Sequence, residues 1–396
     1  MLFRIFSLCN LSYLACCVLI SCTQSDKIAS TFVDSIVVKG QPIKIGLRVS
    51  TLIYDYKFVS LETTPKSLIG EINKIIYYND RLYIVDRFSS NAIFVFNSDG
   101  KFLFRVGSSG KKMGQYTYPH DVIIDSLKGR LLVLDSEMGR INSYGLNDGL
   151  FIESEEIPIK ATRFIKYSGY YGFVSAGKGG SLVITDSKFN QLMGFFPDEK
   201  GAVKTVHQPF HQINDTLLLF QLNYNDTIFR IRKAHVTPYR KIIYGEQGIT
   251  YEDKQSLSTN EDITNKFRTK RITFRYYFET RRHVLFTFLQ NKNYFLVLQE
   301  KGTEKITIFP VNEVRNDVTF EDTFPQIMGT TKDDEIIAVL PEPNKINFSI
   351  DKFMSNNPEI SDSVVRLNIE KIKQMQTTNL LTNSPINPIL VFFKLK

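Results

Sequence analysis

From residue 45 onward the chain alternates apolar and polar positions with a period close to two, the pattern of half-buried β-strands. Residues 75–78 (IIYY) and 82–85 (LYIV) are short β-rich runs split by the turn Asn79-Asp80. A third run, 92–96 (AIFVF), is closed by Asn97-Ser98-Asp99-Gly100, and a fourth covers 102–106. Short strands joined by such tight turns predict an antiparallel meander.

The meander recurs. LYIVD at 82–86 aligns with LLVLD at 131–135, and thirteen residues after each Asp stands an Asp-Gly turn, Asp99-Gly100 and Asp148-Gly149. Two residues past each Gly is an aromatic, Phe102 and Phe151, so all three matches share a spacing of 49 residues. Fainter copies run through 171–174, 181–184 and 193–196, then 216–221, 227–231 and 241–244, then 284–289, 295–299 and 305–309. A last copy starts at 335–340 and needs a strand from a chain end, for which 390–395 (LVFFKL) is the candidate. Repeats of about 40–50 residues, each a four-stranded sheet, are the signature of a β-propeller. A lone sheet of this kind cannot bury both faces, so the sheets must stack as blades in a ring. Pairing strands from both chain ends in one blade closes that ring and leaves few free edges. The reading is an all-β fold, a six-bladed propeller over 45–396, with five or seven blades still compatible. Residues 246–268 are polar and poor in β-branched runs, and are expected to be an insertion with some helix.

The start of the chain obeys different rules. Met1-Leu2-Phe3-Arg4 carries one positive charge, and the densest apolar part follows at 11–20 (LSYLACCVLI). That run is shorter than the roughly 20 apolar residues needed to span a bilayer. A charged head, a short apolar core and small residues at its end make residues 1–21 an export signal. The junction Leu19-Ile20-Ser21-Cys22 resembles the lipobox of bacterial lipoproteins. That resemblance implies cleavage before Cys22 and acylation of its thiol by chains such as palmitate, leaving 22–44 as a lipidated tether. The alternative is an ordinary signal peptide that happens to contain cysteines. Of the four cysteines, Cys9, Cys16, Cys17 and Cys22, only Cys22 would survive the cut, which excludes a disulfide in the mature chain.

Charge and aromatic content refine the picture. The net charge is +8, and the signal holds only Arg4, so the mature chain carries 8 − 1 = +7, a weak preference for anionic partners. There is no Trp among 31 Phe and 19 Tyr, which weakens, without excluding, a sugar platform built on indole rings. No later segment is apolar for 18 residues, so the lipid is the expected anchor.

With these residues in view, the chain resembles the six-bladed β-propeller lipoproteins of Bacteroidetes, relatives of NHL-repeat propellers. Four features carry the likeness: the lead-in 56–63 (YKFVSLET), the opening Ile69-Gly70-Glu71-Ile72, the strand–turn–strand of 94–102 (FVFNSDGKF) and the Gly-rich link 106–116. In that link Lys112 and Met113 stand where the family has Gly and Pro, and Gln115 where it has Glu. The resemblance implies an outer-membrane lipoprotein, on its periplasmic face or at the cell surface, and a propeller often without enzyme activity. It also implies a setting of glycan or nutrient capture.

Candidate chemistry is sparse. Gly107, Gly110 and Gly114 lack the spacing of a phosphate-binding loop and precede a strand, so they read as a link between blades. His207 and His211 lie four apart with Pro209 between them, and His120 from another blade could complete a three-His zinc site. Ordinary turn histidines are the simpler reading, so no metal and no cofactor are expected. Asp86 and Asp135 end the second strands of two blades and are expected to accept backbone N–H groups there. Arg87, His120 and Arg140 are the candidates to line one mouth of the central channel and hold an anion. The basic run 266–282 interleaves seven Lys or Arg with Phe and Tyr, yet its alternation reads as the opening strand of blade five. A contact of that edge with headgroups or an acidic glycan is its one functional reading. The leading function is therefore a non-catalytic binding or scaffolding lipoprotein. It would be a monomer on the membrane, with a glycan or envelope protein as partner and no nucleic acid. The opposing reading is a propeller polysaccharide lyase or glycoside hydrolase with its site at the axis, and a structural partner of a transporter is a third.

Overall fold

Alternation makes each strand the wall of two cores at once. Blade one consists of Lys74–Tyr78, Arg81–Asp86, Ala92–Asn97 and Phe102–Arg105, antiparallel and in that order. Along its second strand Leu82 and Ile84 pack with Ile337, Leu390 and Phe392. The intervening Tyr83 and Val85 point the other way and pack with Val122, Leu131 and Val133. The protein is seen in a computed structural model that describes residues 34–43, 46–175, 181–196, 208–214, 217–222, 224–250, 253, 265–303, 305–340, 343–358, 362–379 and 386–396.

Five further sheets repeat the plan. Blade two runs from Asp121–Asp125 to Phe151–Glu156, and blade three from Ala161–Tyr167 to Gln191–Phe195. Blade four runs from Phe210–Asn214 to His235–Ile243, and blade five from Ile272–Glu279 to Ile306–Pro310. In blade six the order is Ile327–Thr330, Ile336–Val339, Ile389–Leu395 and Ile53–Ser60. A buried cluster joins each blade to the next: Ile123 and Leu132 meet Phe164 and Phe173, and Val174 and Ile184 meet Leu218 and Phe220. Leu219 and Ile242 meet Val284 and Phe286, and Leu285 and Leu296 meet Ile336 and Val391. With the clusters on either side of blade one, these junctions close a ring of six blades, as the repeat count predicts. Burying a single Leu or Phe side chain in such a junction contributes roughly 1.5–3 kcal/mol, so every blade is stabilised by its neighbours.

Closure uses both chain ends. Ile389–Leu395 lies between Ile336–Val339 and Ile53–Ser60, pairing antiparallel with each. The chain start does more than supply the outermost strand. Asp34–Val37, inside the segment expected as a tether, pairs parallel to the outer strand of blade four, with Asp34 opposite Arg240. Arg240 grips the Asp34 carboxylate at 2.7 Å, and Ile36 is buried. Arg271 then donates to the carbonyls of Val38 and Gly40 at 3.1 and 2.9 Å. The Ile43 N–H donates to the Ile308 carbonyl on the outer strand of blade five, and Arg48 pairs with Asp317 at 2.7 Å. The segment leading to residue 60 is thus a strap along the rim of blades four, five and six. The expected signal 1–21 and Cys22 lie outside the described residues.

Among the described residues, two long helices depart from the period of two. Helices α1 (Pro343–Asn356) and α2 (Ser363–Asn379) are inserted between the second and third strands of blade six. Their Ile346, Ile350, Phe353, Val365 and Ile372 sink into the core shared by blades five and six. A short 3-10 turn at Gly245–Gln247 leads into the predicted insertion 246–268, and most of 251–264 lies outside the described residues. The basic run supplies the opening strand of blade five as expected, but Arg271 within it is buried and fastens the strap.

Candidate functional site

The inner strands of a propeller surround its axis, so residues where several of them begin share one mouth. A pocket of about 70 Å³ opens there. Asn73 and Lys74 reach it from the start of blade one, Pro119, His120 and Asp121 from blade two, and Arg163 from blade three. Arg87 and Phe88, just past the second strand of blade one, complete the wall with Gln208, which also donates to the Met328 carbonyl of blade six.

Charge in this pocket is unevenly balanced. Lys74 is neutralised by Asp121 at 2.7 Å, and the second oxygen of Asp121 accepts the Phe164 N–H at 3.0 Å. The Arg163 guanidinium donates to the carbonyls of Thr162 and His120. Arg87 is different. Its buried Nε has no hydrogen-bond partner, and no carboxylate pairs with it, among the described residues. Its one side-chain contact of note is the Phe88 ring, with the guanidinium carbon 4.9 Å from the centroid. Burial first, and the Arg163 charge second, lower the Arg87 pKa from its ordinary value. The His120 pKa is lowered too, by burial and then by Arg87. Its Nδ1 lies 3.3 Å from the Ser136 nitrogen, and Nε2 is 4.0 Å from a Glu137 oxygen. The pocket therefore holds a partly buried cation whose Nε has no partner among the described residues, which an anion would complete.

Two of the three predicted mouth residues, Arg87 and His120, meet here, whereas Arg140 does not. It opens the third strand of blade two, is nearly buried, and donates to the Gln115 and Lys112 carbonyls at 2.8 and 3.3 Å. Asn142 and Tyr144 bond the same link through the carbonyls of Gln115 and Gly114. Arg140 thus positions the Gly-rich link, because its place in the strand aims it at the loop between blades one and two. That loop is a connector, as its glycine spacing predicts. Sequence reading missed Arg163, Asp121 and Phe88, whose association depends on the stacking of three blades.

The other candidates separate cleanly. Asp86 accepts N–H groups of Gly70, Glu71 and Ser89, and Asp135 accepts those of Thr117 and Met138. Both aspartates are fully buried and staple the approach to their blade's inner strand. His211 is on the inner strand of blade four, its Nε2 against the Glu279 backbone and its ring edge-on to Phe278. His120 is in a different pocket, and His207 lies outside the described residues. No group of three His, Cys, Asp or Glu is gathered as a metal site among the described residues.

A family model described as "Domain of unknown function (DUF4934)" matches residues 35–394. The chain belongs to this family. Among solved structures, a protein from Bacteroides fragilis assigned as exported superposes with a TM-score of 0.71 at 19% identity, covering 91% of this chain and 99% of that one. A member of the DUF4221 family from Bacteroides vulgatus superposes with a TM-score of 0.44 at 10% identity, over 87% of this chain and 97% of that one. The first likeness extends the six-bladed fold over nearly the full length of this DUF4934 chain. No helix among the described residues is long and apolar enough to cross a membrane.

Proposed function

We propose that this DUF4934 protein is a lipid-anchored propeller of the bacterial outer envelope. It captures a ligand by an anionic group at the axial mouth and does not transform it. The NHL-like lipoprotein resemblance, the lipobox-like junction at Cys22 and the exported Bacteroides neighbour support the envelope setting. The observation that carries the binding reading is Arg87, a cation without a carboxylate partner among the described residues, set in a pocket at the ends of three blades. The pocket's small volume favours capture over turnover. A polysaccharide cleaved at the axis must bring a whole sugar ring to the catalytic group, and a cleft for that is roughly 300 Å³ or more.

The test is thermal melting of the full chain in detergent with acetate, sulfate or phosphate at constant ionic strength. An anion should raise the melting temperature of the wild type and leave Arg87→Gln unmoved; equal shifts in both proteins overturn the anion site. For the anchor, Cys22→Ala should abolish incorporation of labelled palmitate and release the protein from membranes. Retention of label by that variant overturns lipidation at Cys22.

A further inference from the structure

We infer that the axial pocket receives the carboxylate of an acidic sugar whose ring stays outside, against Phe88. The inference rests on the anion-binding reading above and names its ligand class. At about 70 Å³ the pocket admits an end-group of a few atoms. Arg87 sets the sign of that group, and a planar guanidinium offers parallel N–H donors that match two carboxylate oxygens.

What stands at the rim decides what the carboxylate is attached to. Phe88 lines the pocket yet is 65% exposed. One face of its ring is taken by Arg87, which leaves apolar surface free beside the opening. A hole the size of one charged group, with the exposed Phe88 ring in its wall, fits a ligand whose charge sits directly on a flat, C–H-bearing ring. Free inorganic anions would make no use of the Phe88 ring, and a fatty carboxylate would present no flat face. A uronic acid has its carboxylate on a carbon of the pyranose itself, so one residue can place the charge inside and a C–H face on Phe88.

The test is calorimetry on the full chain in detergent at constant ionic strength. The probes are trimers of glucuronate, galacturonate and mannuronate, their methyl esters, and acetate. At least one uronate trimer should bind about tenfold more tightly than acetate, a difference of about 1.4 kcal/mol, and its ester should not bind. Arg87→Gln should weaken trimer and acetate alike. Phe88→Ala should weaken the trimer about fivefold more than it weakens acetate. If acetate binds through Arg87 but no trimer binds more tightly, or Phe88→Ala affects trimer and acetate equally, the sugar assignment is wrong and the anion pocket stands. A phenylalanine-ended peptide outbinding every trimer would also overturn it, in favour of a peptide C-terminus. If neither acetate nor any trimer binds, both readings fall together.

Discussion

Asp86 does at the scale of one residue what a loop cannot do for itself. Its carboxylate accepts the Gly70 and Glu71 N–H groups at 2.7 and 3.2 Å, the Ser89 N–H at 3.0 Å and the Ser90 hydroxyl at 2.8 Å. Removing it takes one acceptor from four part-buried donors at once and empties a buried position, so Asp86→Ala should cost about 2–3 kcal/mol, read as a lower urea midpoint with unchanged slope. A loss under about 0.5 kcal/mol, the size of an ordinary surface change, would show that the staple is dispensable. Two turn glycines, Gly100 and Gly129, give a second residue-scale test. Gly100 has φ +84°, and a Cβ there would lie 2.1 Å from the Ser60 carbonyl of the preceding blade. Gly129 has φ +62° with open space around it. Gly129→Ala should therefore cost only the left-handed strain of about 1–2 kcal/mol, and Gly100→Ala clearly more, because backbone must move. Equal losses in thermal melts would mean that the blades do not approach as closely as the turn requires.

At the scale of the element, the strap and the closing strand hold the ring. Arg271 stacks on Phe288 at 5.1 Å and reaches two strap carbonyls. Arg271→Ala should lower stability by about 2–3 kcal/mol and raise hydrogen exchange at Ile36 and Val38 ahead of blades one and two. Unchanged exchange there would show the strap to be held by its strand pairing alone. Deleting 389–396 removes the strand between Ile336–Val339 and Ile53–Ser60, leaving two unpaired edges and an opened apolar junction. That deletion should prevent cooperative unfolding in calorimetry; a sharp transition near the wild-type temperature would count against closure through the chain ends. The helices α1 and α2 escape a reading tuned to period two, although Ile346, Ile350 and Phe353 repeat at helical spacing. Their signal was local and available. The strap's was not, since four residues pairing with blade four look like any polar lead-in.

At the scale of the whole molecule, histidine burial couples folding to pH. His283 is buried with Nε2 2.8 Å from the Lys396 main-chain oxygen, and burial lowers its pKa, as it does for His211. Unfolded histidine titrates near 6.5, so below that value the unfolded chain binds more protons than the folded one. Stability should be full above pH ~6.5 and fall as pH drops through the lowered folded values. His283→Gln should flatten that decline in urea titrations; an unchanged slope would place its origin elsewhere. The same proton acts in the axial pocket with the opposite use. His120 faces Arg87, Tyr118, Asp135 and Glu137, with Asp121 and Arg163 lining the same pocket. An anion bound there stabilises the imidazolium, so anion affinity should rise as pH falls towards the lowered His120 value, and His120→Gln should remove the rise.

The sequence by itself determined the ring. Alternation, the 49-residue repeat, the Asp that ends the second strand of blades one and two and the orphan strand at 390–395 are local signals. They are legible because every blade must cover both faces with apolar side chains. Only the tertiary structure decided what the ring's ends and axis do. Whether Arg87 or Arg140 faces the mouth depends on which neighbour each strand end meets. Arg163 and Asp121 join Arg87 because three inner strands begin side by side around one axis, a relation between distant residues that no local period encodes.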